Sequence, residues 1–219
     1  MRKYTSEFLG TFALVFCGTG AIIINEQSNG VIGHVGISIT FGLIVLAMIY
    51  TFGMTSGAHL NPAVTLGFFI AKRFDKREIL PYIISQTAGA FLATVILKFL
   101  FPTNQNLGST IPADSLMQSF ILEFILTYFL MLVILNVALG SKEVGILAGI
   151  AIGATILLEA MFAGPISGAS MNPARSIAPG IISGNNQALW IYLIAPPLGA
   201  ISASLTWKAM TRNVKEDVL

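Results

Sequence analysis

An eight-residue motif occurs once in each half of this chain, and it constrains the fold more than any other feature. Residues 56–63 read Ser-Gly-Ala-His-Leu-Asn-Pro-Ala and residues 167–174 read Ser-Gly-Ala-Ser-Met-Asn-Pro-Ala, with a constant spacing of 111 residues. Asn is a favoured N-cap, and Pro fits the first helical position because the N–H it lacks is unpaired there anyway. We therefore predict that one helix starts at Asn61-Pro62-Ala63 and another at Asn172-Pro173-Ala174.

The surrounding sequence is apolar enough to lie in a bilayer. Hydrophobic residues make up 55% of the 219 residues, charged residues make up 10%, and the mean hydropathy is +0.81. These values are typical of an integral membrane protein and not of a soluble domain of this size. Apolar stretches of spanning length predict six membrane spans: Glu7–Ile24, Val35–Phe52, Ile79–Leu100, Ser115–Leu139, Val144–Ala163 and Leu189–Met210.

The two motifs predict an inverted repeat within a single channel-sized domain, residues 1–219. The first repeat covers about 1–105 and the second about 115–219, each with three spans. Because three is odd, the second repeat enters the membrane in the opposite orientation. The apolar runs Val64–Ala71 and Ser176–Ile182 are too short to span, since about ten helical residues cover only about 15 Å of a hydrocarbon core of about 30 Å. We predict two re-entrant half-helices whose starts meet near the middle of the membrane.

Most basic residues fall where a six-span chain would have its cytoplasmic loops if both termini were inside. By the positive-inside rule, this predicts a multi-pass protein of the plasma or inner membrane with both termini in the cytoplasm. The ten residues are Arg2, Lys3, Lys72, Arg73, Lys76, Arg77, Lys142, Lys208, Arg212 and Lys215. The two exceptions are Lys98 and Arg175.

Composition also excludes several functions. A single cysteine, Cys17, excludes an internal disulfide, and with only His34 and His59 a metal site is not expected. No cofactor is implied. The net charge of +2 reflects the loop bias and gives no reason to expect nucleic acid as a partner.

Two Asn-Pro-Ala motifs within six spans resemble the aquaporin family, also called the major intrinsic proteins, over almost the whole chain. Residues 163–176, which carry the second motif, look most like the nodulin-26-like branch. The resemblance implies an all-α membrane protein with the aquaporin fold: six transmembrane helices, two re-entrant half-helices and an inverted repeat. It also implies a homotetramer with one pore in each protomer, and a passive channel that is not an enzyme.

The opposed helix starts suggest how such a pore excludes protons. Each start carries a positive partial charge, and Asn61 and Asn172 add amide donors. A water at this point turns its oxygen toward both amides and donates away from them, so the proton wire is broken and cations are opposed. Arg175, at the third helical position, adds a buried charge near one mouth only, because the matching residue of the first repeat is Val64.

The resemblance implies that Arg175 joins Phe41, Ala160 and Ala169 in a selectivity filter near the outer side. Water-selective members typically have an aromatic residue and a histidine there, and glycerol channels have two aromatics. With Ala160 in the histidine position, the opening should be wider and less polar. We therefore expect passage of water and small uncharged solutes: glycerol, or the neutral hydroxides of boron, silicon or arsenic(III). Ions stay excluded because nothing replaces their hydration shell.

Three carboxylates lie within predicted spans. The resemblance implies that Glu7 and Glu123 support the re-entrant loops by accepting from backbone N–H groups. Glu159 adjoins Ala160 but is rotated about 100° from it on a helix, toward a neighbouring helix. We hypothesise a tuning or packing role for Glu159, against simple hydrogen-bonded burial. His59 is interpreted as a structural loop residue whose carbonyl lines the path, against a gate.

Three alternatives remain at this stage. A strict water channel is the first. A proton-coupled secondary transporter also has inverted repeats and broken helices, and Glu159 or Glu123 would have to carry the proton. An intramembrane hydrolase would use Ser170 with His34 or His59, although no carboxylate orients either histidine.

Overall fold

The described part of the chain is built from helices. The computed structural model describes the backbone of residues 1–216 and the side chains of residues 1–142 and 145–211. Its helices are α1 (Arg2–Gln27), α2 (Gly33–Ser56), α3 (Pro62–Ile70), α4 (Lys76–Leu100), α5 (Leu116–Ala138), α6 (Lys142–Ile146), α7 (Ala148–Ser167), α8 (Pro173–Ser183) and α9 (Leu189–Glu216). Six of these described helices are long and apolar enough to cross a membrane: α1, α2, α4, α5, α7 and the Leu189–Thr211 part of α9. The prediction of an all-α protein with six spans is confirmed.

Two spans end later in the chain than predicted. Apolar character suggested ends at Phe52 and Ala163, whereas α2 and α7 run to Ser56 and Ser167. Each helix stops at a glycine in the left-handed conformation, with φ of 85° at Gly57 and 83° at Gly168. Glycine adopts this conformation without steric cost and commonly ends helices. The motif therefore contains both the end of a span and the start of a half-helix.

The fifth span is also divided in a way that the sequence did not predict. A single helix was expected from Val144, but the structure has the separate short helix α6 and starts α7 at Ala148. At this break the Tyr50 hydroxyl donates to the Ile146 carbonyl over 2.9 Å. A partner on α2 thus binds the chain where α6 ends.

The helices run between two faces, which we name by their loops. The terminal face carries the start of α1 and residues 71–75 and 139–147, and the distal face carries residues 28–32, 101–115 and 184–188. On the terminal face, the ammonium of Lys3 lies 2.8 Å from the carboxylate of Glu78, joining the starts of α1 and α4. On the distal face, the Ala113 N–H donates to the Ile166 carbonyl over 2.9 Å.

The repeats meet where glycines allow close helix contact. A Cβ on Gly42 of α2 would lie 2.6 Å from the Gly153 carbonyl of α7, and one on Gly153 would lie 2.7 Å from the Gly42 carbonyl. Such distances are too short for a real side chain, so these backbones touch directly. Gly42 and Gly153 are separated by 111 residues, the same spacing as the motifs.

Each half-helix is held partly by the opposite repeat. The half-helix α3 packs against α9, and α8 packs against α4. At their outer ends, Lys208 Nζ lies 3.4 Å from the Ile70 carbonyl and Lys98 Nζ lies 3.2 Å from the Ile182 carbonyl. A cation stabilises the C-terminal end of a helix, where carbonyls are unpaired. This explains why Lys98 departs from the distribution of the other basic residues.

Candidate functional site

The two repeated motifs start the half-helices by the same local structure. The Asn61 side-chain oxygen accepts from the Ala63 N–H at 2.8 Å, and Pro62 occupies the first helical turn. The Asn172 oxygen accepts from the Ala174 N–H at 3.0 Å, with Pro173 in the first turn. Each Asn is therefore an N-cap whose oxygen is used within its own motif.

The amide nitrogens of the two Asn side chains cross between the repeats. Asn61 Nδ2 donates to the Met171 carbonyl over 2.7 Å, and Asn172 Nδ2 donates to the Leu60 carbonyl over 2.9 Å. Each acceptor directly precedes the opposite Asn. Because an amide carries two N–H groups, one remains on each Asn, and both side chains line a common cavity. We call this arrangement the crossed amide pair.

Backbone conformation in the two re-entrant loops is strained in matching places. Positive φ angles occur at Ala58 and Leu60 (47° and 54°) and at Ala169 and Met171 (40° and 53°). For residues with a Cβ this region costs about 1–2 kcal/mol each. Surrounding contacts must hold the loops in place, and two buried carboxylates provide them.

Glu7 is fully buried and binds the first loop. Its Oε1 accepts from the His59 N–H at 2.9 Å and from the Ser56 hydroxyl at 2.7 Å. Its Oε2 accepts from the Leu60 N–H at 2.7 Å and from the side-chain amide of Gln86 at 2.8 Å. Four donors satisfy the charge of this carboxylate inside the membrane.

Glu123 occupies the matching place below the second loop and is also fully buried. Its Oε1 accepts from the Ser170 N–H at 2.8 Å and from the Ser167 hydroxyl at 2.9 Å, and its Oε2 accepts from the Met171 N–H at 2.7 Å. The same residue, Met171, thus donates to Glu123 and accepts from Asn61.

Sequence reasoning missed other supports of these loops. The Tyr82 hydroxyl donates to the Ser56 carbonyl at 2.8 Å, and the Tyr192 hydroxyl donates to the Ser167 carbonyl at 2.6 Å. Their spacing is 110 residues, one less than that of the motifs, so the repeat alone matches Tyr82 to Leu193 and does not reveal this pair. The second repeat has no residue that matches Gln86, so the sequence did not indicate Gln86 as a support of the loop.

The residues expected to form the filter lie on one cavity of about 850 Å³. Phe41, Ala160, Ala169 and Arg175 line it together with both motif Asn residues, and its terminal mouth is lined by residues such as Arg73. The Pro and Ala residues that end the two motifs do not line it: Pro62, Ala63, Pro173 and Ala174 are buried. The cavity thus joins the terminal face, the crossed amide pair and the four filter candidates.

The Arg175 side chain is held by the connection between the repeats. It is buried, its Nη1 donates to the Gly108 carbonyl over 2.7 Å, and its Cζ lies 5.3 Å from the centroid of the Phe41 ring. Its Nε is buried and has no hydrogen-bond partner among the described residues. Because a guanidinium has five N–H groups, several remain directed away from Gly108. The role of the 101–115 connection in holding Arg175 was not predicted.

The two histidines and Ser170 do not form a hydrolytic group. The His59 ring stacks on Phe68 with centroids 4.6 Å apart, and its Nδ1 lies 3.1 Å from the Thr65 hydroxyl. His34 Nε2 lies 2.7 Å from the Met161 carbonyl. The Ser170 hydroxyl donates to the Asn172 carbonyl at 2.9 Å. In the described part of the chain, no cluster of three or more His, Cys, Asp or Glu residues could hold a metal ion.

Glu159 differs from the other two intramembrane glutamates. It is half-buried on α7, does not line the cavity, and its carboxylate interacts electrostatically with that of Glu123. Its buried Oε2 has no hydrogen-bond partner among the described side chains and backbone groups. Simple hydrogen-bonded burial, the alternative to a tuning or packing role, does not describe this oxygen.

Comparisons with known proteins agree with this architecture. The sequence model described as "Major intrinsic protein" matches residues 1–207. The chain is 46% identical over 205 residues to "Aquaporin NIP1-1" of Oryza sativa subsp. japonica, covering 93% of this chain and 72% of the relative. It is 42% identical over 205 residues to "Nodulin-26" of Glycine max, covering 93% and 76%. A solved aquaglyceroporin from Plasmodium falciparum superposes with a TM-score of 0.83 at 31% identity, over 94% of both chains. This chain belongs to the major intrinsic protein family, and its similarity to nodulin-26-like aquaporins makes it a channel protein of the membrane.

Proposed function

We propose that this protein is a passive channel that carries water together with glycerol or the neutral hydroxides of boron, silicon or arsenic(III), and that excludes ions and protons. The observation that carries the proposal is the single cavity on which the crossed amide pair, two alanine methyl groups, an aromatic ring and a guanidinium all lie. The similarity to a solved aquaglyceroporin supports a solute range that includes glycerol.

Proton exclusion rests on the crossed amide pair. The bond to the opposite loop fixes each amide, so its second N–H has a set direction toward the cavity. Two such donors and two helix starts leave a water at this point no acceptor, and its own hydrogens turn away from the pair. The chain of like-oriented hydrogen bonds that proton transfer needs is interrupted there.

Solute selection rests on Phe41, Ala160, Ala169 and Arg175. The ring and the two methyl groups offer an apolar surface, and Arg175 offers N–H donors on a fixed guanidinium. Glycerol fits this division because its hydroxyl oxygens accept from the arginine while its C–H groups contact carbon, and the hydroxyl oxygens of a small neutral hydroxide can accept from the same arginine. A cation meets the arginine charge and finds no ligands to replace its water.

The protein's surroundings are part of the proposal. The distribution of Lys and Arg supports a cytoplasmic terminal face in a plasma or inner membrane, with both termini inside. Family membership supports a homotetramer with one pore in each protomer. Reporter fusions at the C-terminus test the orientation, and native mass spectrometry tests the oligomer.

The experiment is stopped-flow light scattering on proteoliposomes. We expect fast shrinkage in an impermeant osmolyte, then protein-dependent re-swelling in glycerol or boric acid. A160V should reduce re-swelling by about tenfold and leave shrinkage fast, whereas A154V, which adds the same atoms on the exposed side of α7, should change neither. Fast shrinkage with no re-swelling in any solute would mean a strict water channel, and solute flux that follows a pH gradient would mean a coupled transporter.

A further inference from the structure

The ring of Phe41 lies directly on a glycine of α1. A Cβ built on Gly18 would lie 2.5 Å from Phe41 Cζ and 2.7 Å from Cδ1, and still closer to Cε1. Ordinary contacts of this kind begin at 3.4 Å. Position 18 therefore has no room for any side chain while the ring stays where it is.

The ring separates Gly18 from the cavity. Leu14, one helical turn earlier on the same face of α1, lines the cavity with its own side chain. Gly18 is buried and does not line the cavity, whereas Phe41 does. The ring thus occupies the space that a side chain at position 18 would fill, and a displacement directly away from Gly18 is toward the cavity.

The next residue of α1 supports the other side of the filter. A Cβ on Gly108, which has φ of 66°, would lie 2.8 Å from Thr19 Cβ, so this part of the connection rests on α1. Gly108 supplies the carbonyl that holds Arg175. One turn of α1 is therefore in contact with both Phe41 and the segment that positions the guanidinium.

We propose that Gly18 is a positioning residue that sets solute size: by having no side chain, it lets the Phe41 ring withdraw from the lumen and keeps the gap beside Arg175 wide. The proposal rests on the proposed function only in that Phe41 borders the narrow part of the path. In G18A the ring must move by about 1 Å to restore ordinary contact, because close-packed interiors transmit such a displacement rather than absorb it.

The test compares G18A with G20A in the proteoliposome assay. Gly20 is on the same helix, and a Cβ there would meet its nearest neighbour, Leu97 Cδ2, at 3.5 Å, which is ordinary contact. We expect G18A to lower glycerol or boric acid permeability by about tenfold or more relative to water, and G20A to leave both unchanged. Equal losses in the two variants, or none in G18A, would overturn the proposal.

A double-mutant cycle with F41V identifies the ring as the cause, because valine lacks the three ring atoms that a Cβ at position 18 would meet. On the F41V background, adding G18A should change the solute-to-water ratio by less than about twofold. If G18A alone does not fold, G18A/F41V should fold, and failure of both would show that the obstacle is not the ring.

The assay separates this inference from the proposed function. If the wild type passes glycerol or boric acid and G18A behaves like G20A, the inference fails and the function stands. If the wild type passes water alone, the proposed solute range fails. The inference is then judged on water permeability. G18A should lower the water permeability several-fold, and G18A/F41V should have the same water permeability as F41V.

Discussion

Replacing Glu123 by Gln should destabilise the second re-entrant loop by an amount that the structure allows us to work out. The carboxylate accepts from the Ser170 N–H, the Ser167 hydroxyl and the Met171 N–H. A glutamine has one acceptor oxygen, so in its better orientation its NH2 group faces the Met171 N–H. One buried donor is then unpaired, at about 1–3 kcal/mol, and two bonds lose their charge assistance. We expect a total loss of about 2–4 kcal/mol.

The consequence should reach the pore through Met171. This residue is held at φ 53°, and its carbonyl accepts from Asn61 Nδ2. Without Glu123 on its N–H, the strained backbone has less to hold it, and the Met171 carbonyl that Asn61 binds is less firmly positioned. E123Q should therefore show lower water permeability and a higher proton leak, in addition to a melting temperature lower by about 5–15 °C, at 2–4 °C per kcal/mol for a chain of this length.

E159Q is the matched control. It makes the same substitution at an intramembrane glutamate whose buried Oε2 has no hydrogen-bond partner among the described residues. E159Q loses no hydrogen bond at Oε2, and it removes a negative charge that interacts with the Glu123 carboxylate. The melting temperature should therefore stay the same or rise. Both variants are measured by heating detergent-purified protein and recording the fraction that remains monodisperse, then by stopped flow. An E123Q protein as stable and permeable as the wild type, or equal losses in E159Q, would refute the reasoning.

Three further predictions concern other residues. N61D and N172D each put an acceptor where a donor meets a carbonyl, so both should raise the proton leak measured with an internal pH dye; unchanged leak and permeation in both would count against the crossed amide pair. K98M and K208M remove exposed or half-buried cations from the ends of the half-helices and should each cost less than about 1 kcal/mol, with a small fall in melting temperature and unaltered water permeability; a large permeability loss would show another role. Because Glu159 does not line the cavity, E159Q should keep the glycerol-to-water permeability ratio, which would end the tuning hypothesis, and a shifted ratio would support it.

Local signals predicted the parts of this fold that depend on neighbours in sequence. Asn61 and Asn172 marked the half-helix starts because an N-cap and a following proline act within a few residues. The six spans followed from apolar length, which is a property of each segment alone. Their ends at Gly57 and Gly168 were missed because hydropathy falls before the helix stops, and the stop itself depends on a glycine conformation.

Contacts between distant segments could not be read in the same way. Arg175 was recognised as a buried charge, but its acceptor on Gly108 is 67 residues away on the connection between the repeats. Gln86 and Tyr82 reach the first loop from α4 without any motif of their own. Nothing in the sequence places the ring of Phe41 on Gly18. The filter role of Phe41, Ala160, Ala169 and Arg175 stays a prediction.

The crossed amide pair also determines the order in which the protein can be completed during synthesis. Asn61 is made 110 residues before the carbonyl of Met171 that it requires, an interval of about 5–20 s at ordinary rates of translation. Glu7 already exists when the first loop enters the membrane, and Gln86 follows soon after, so that loop can be seated early by its own repeat. The Asn61 amide, by contrast, can bind its acceptor only after the second half of the chain has been made. In the proposed channel, the barrier to protons can therefore be completed only after Met171 has been made, and a chain truncated before Met171 would lack the acceptor of Asn61.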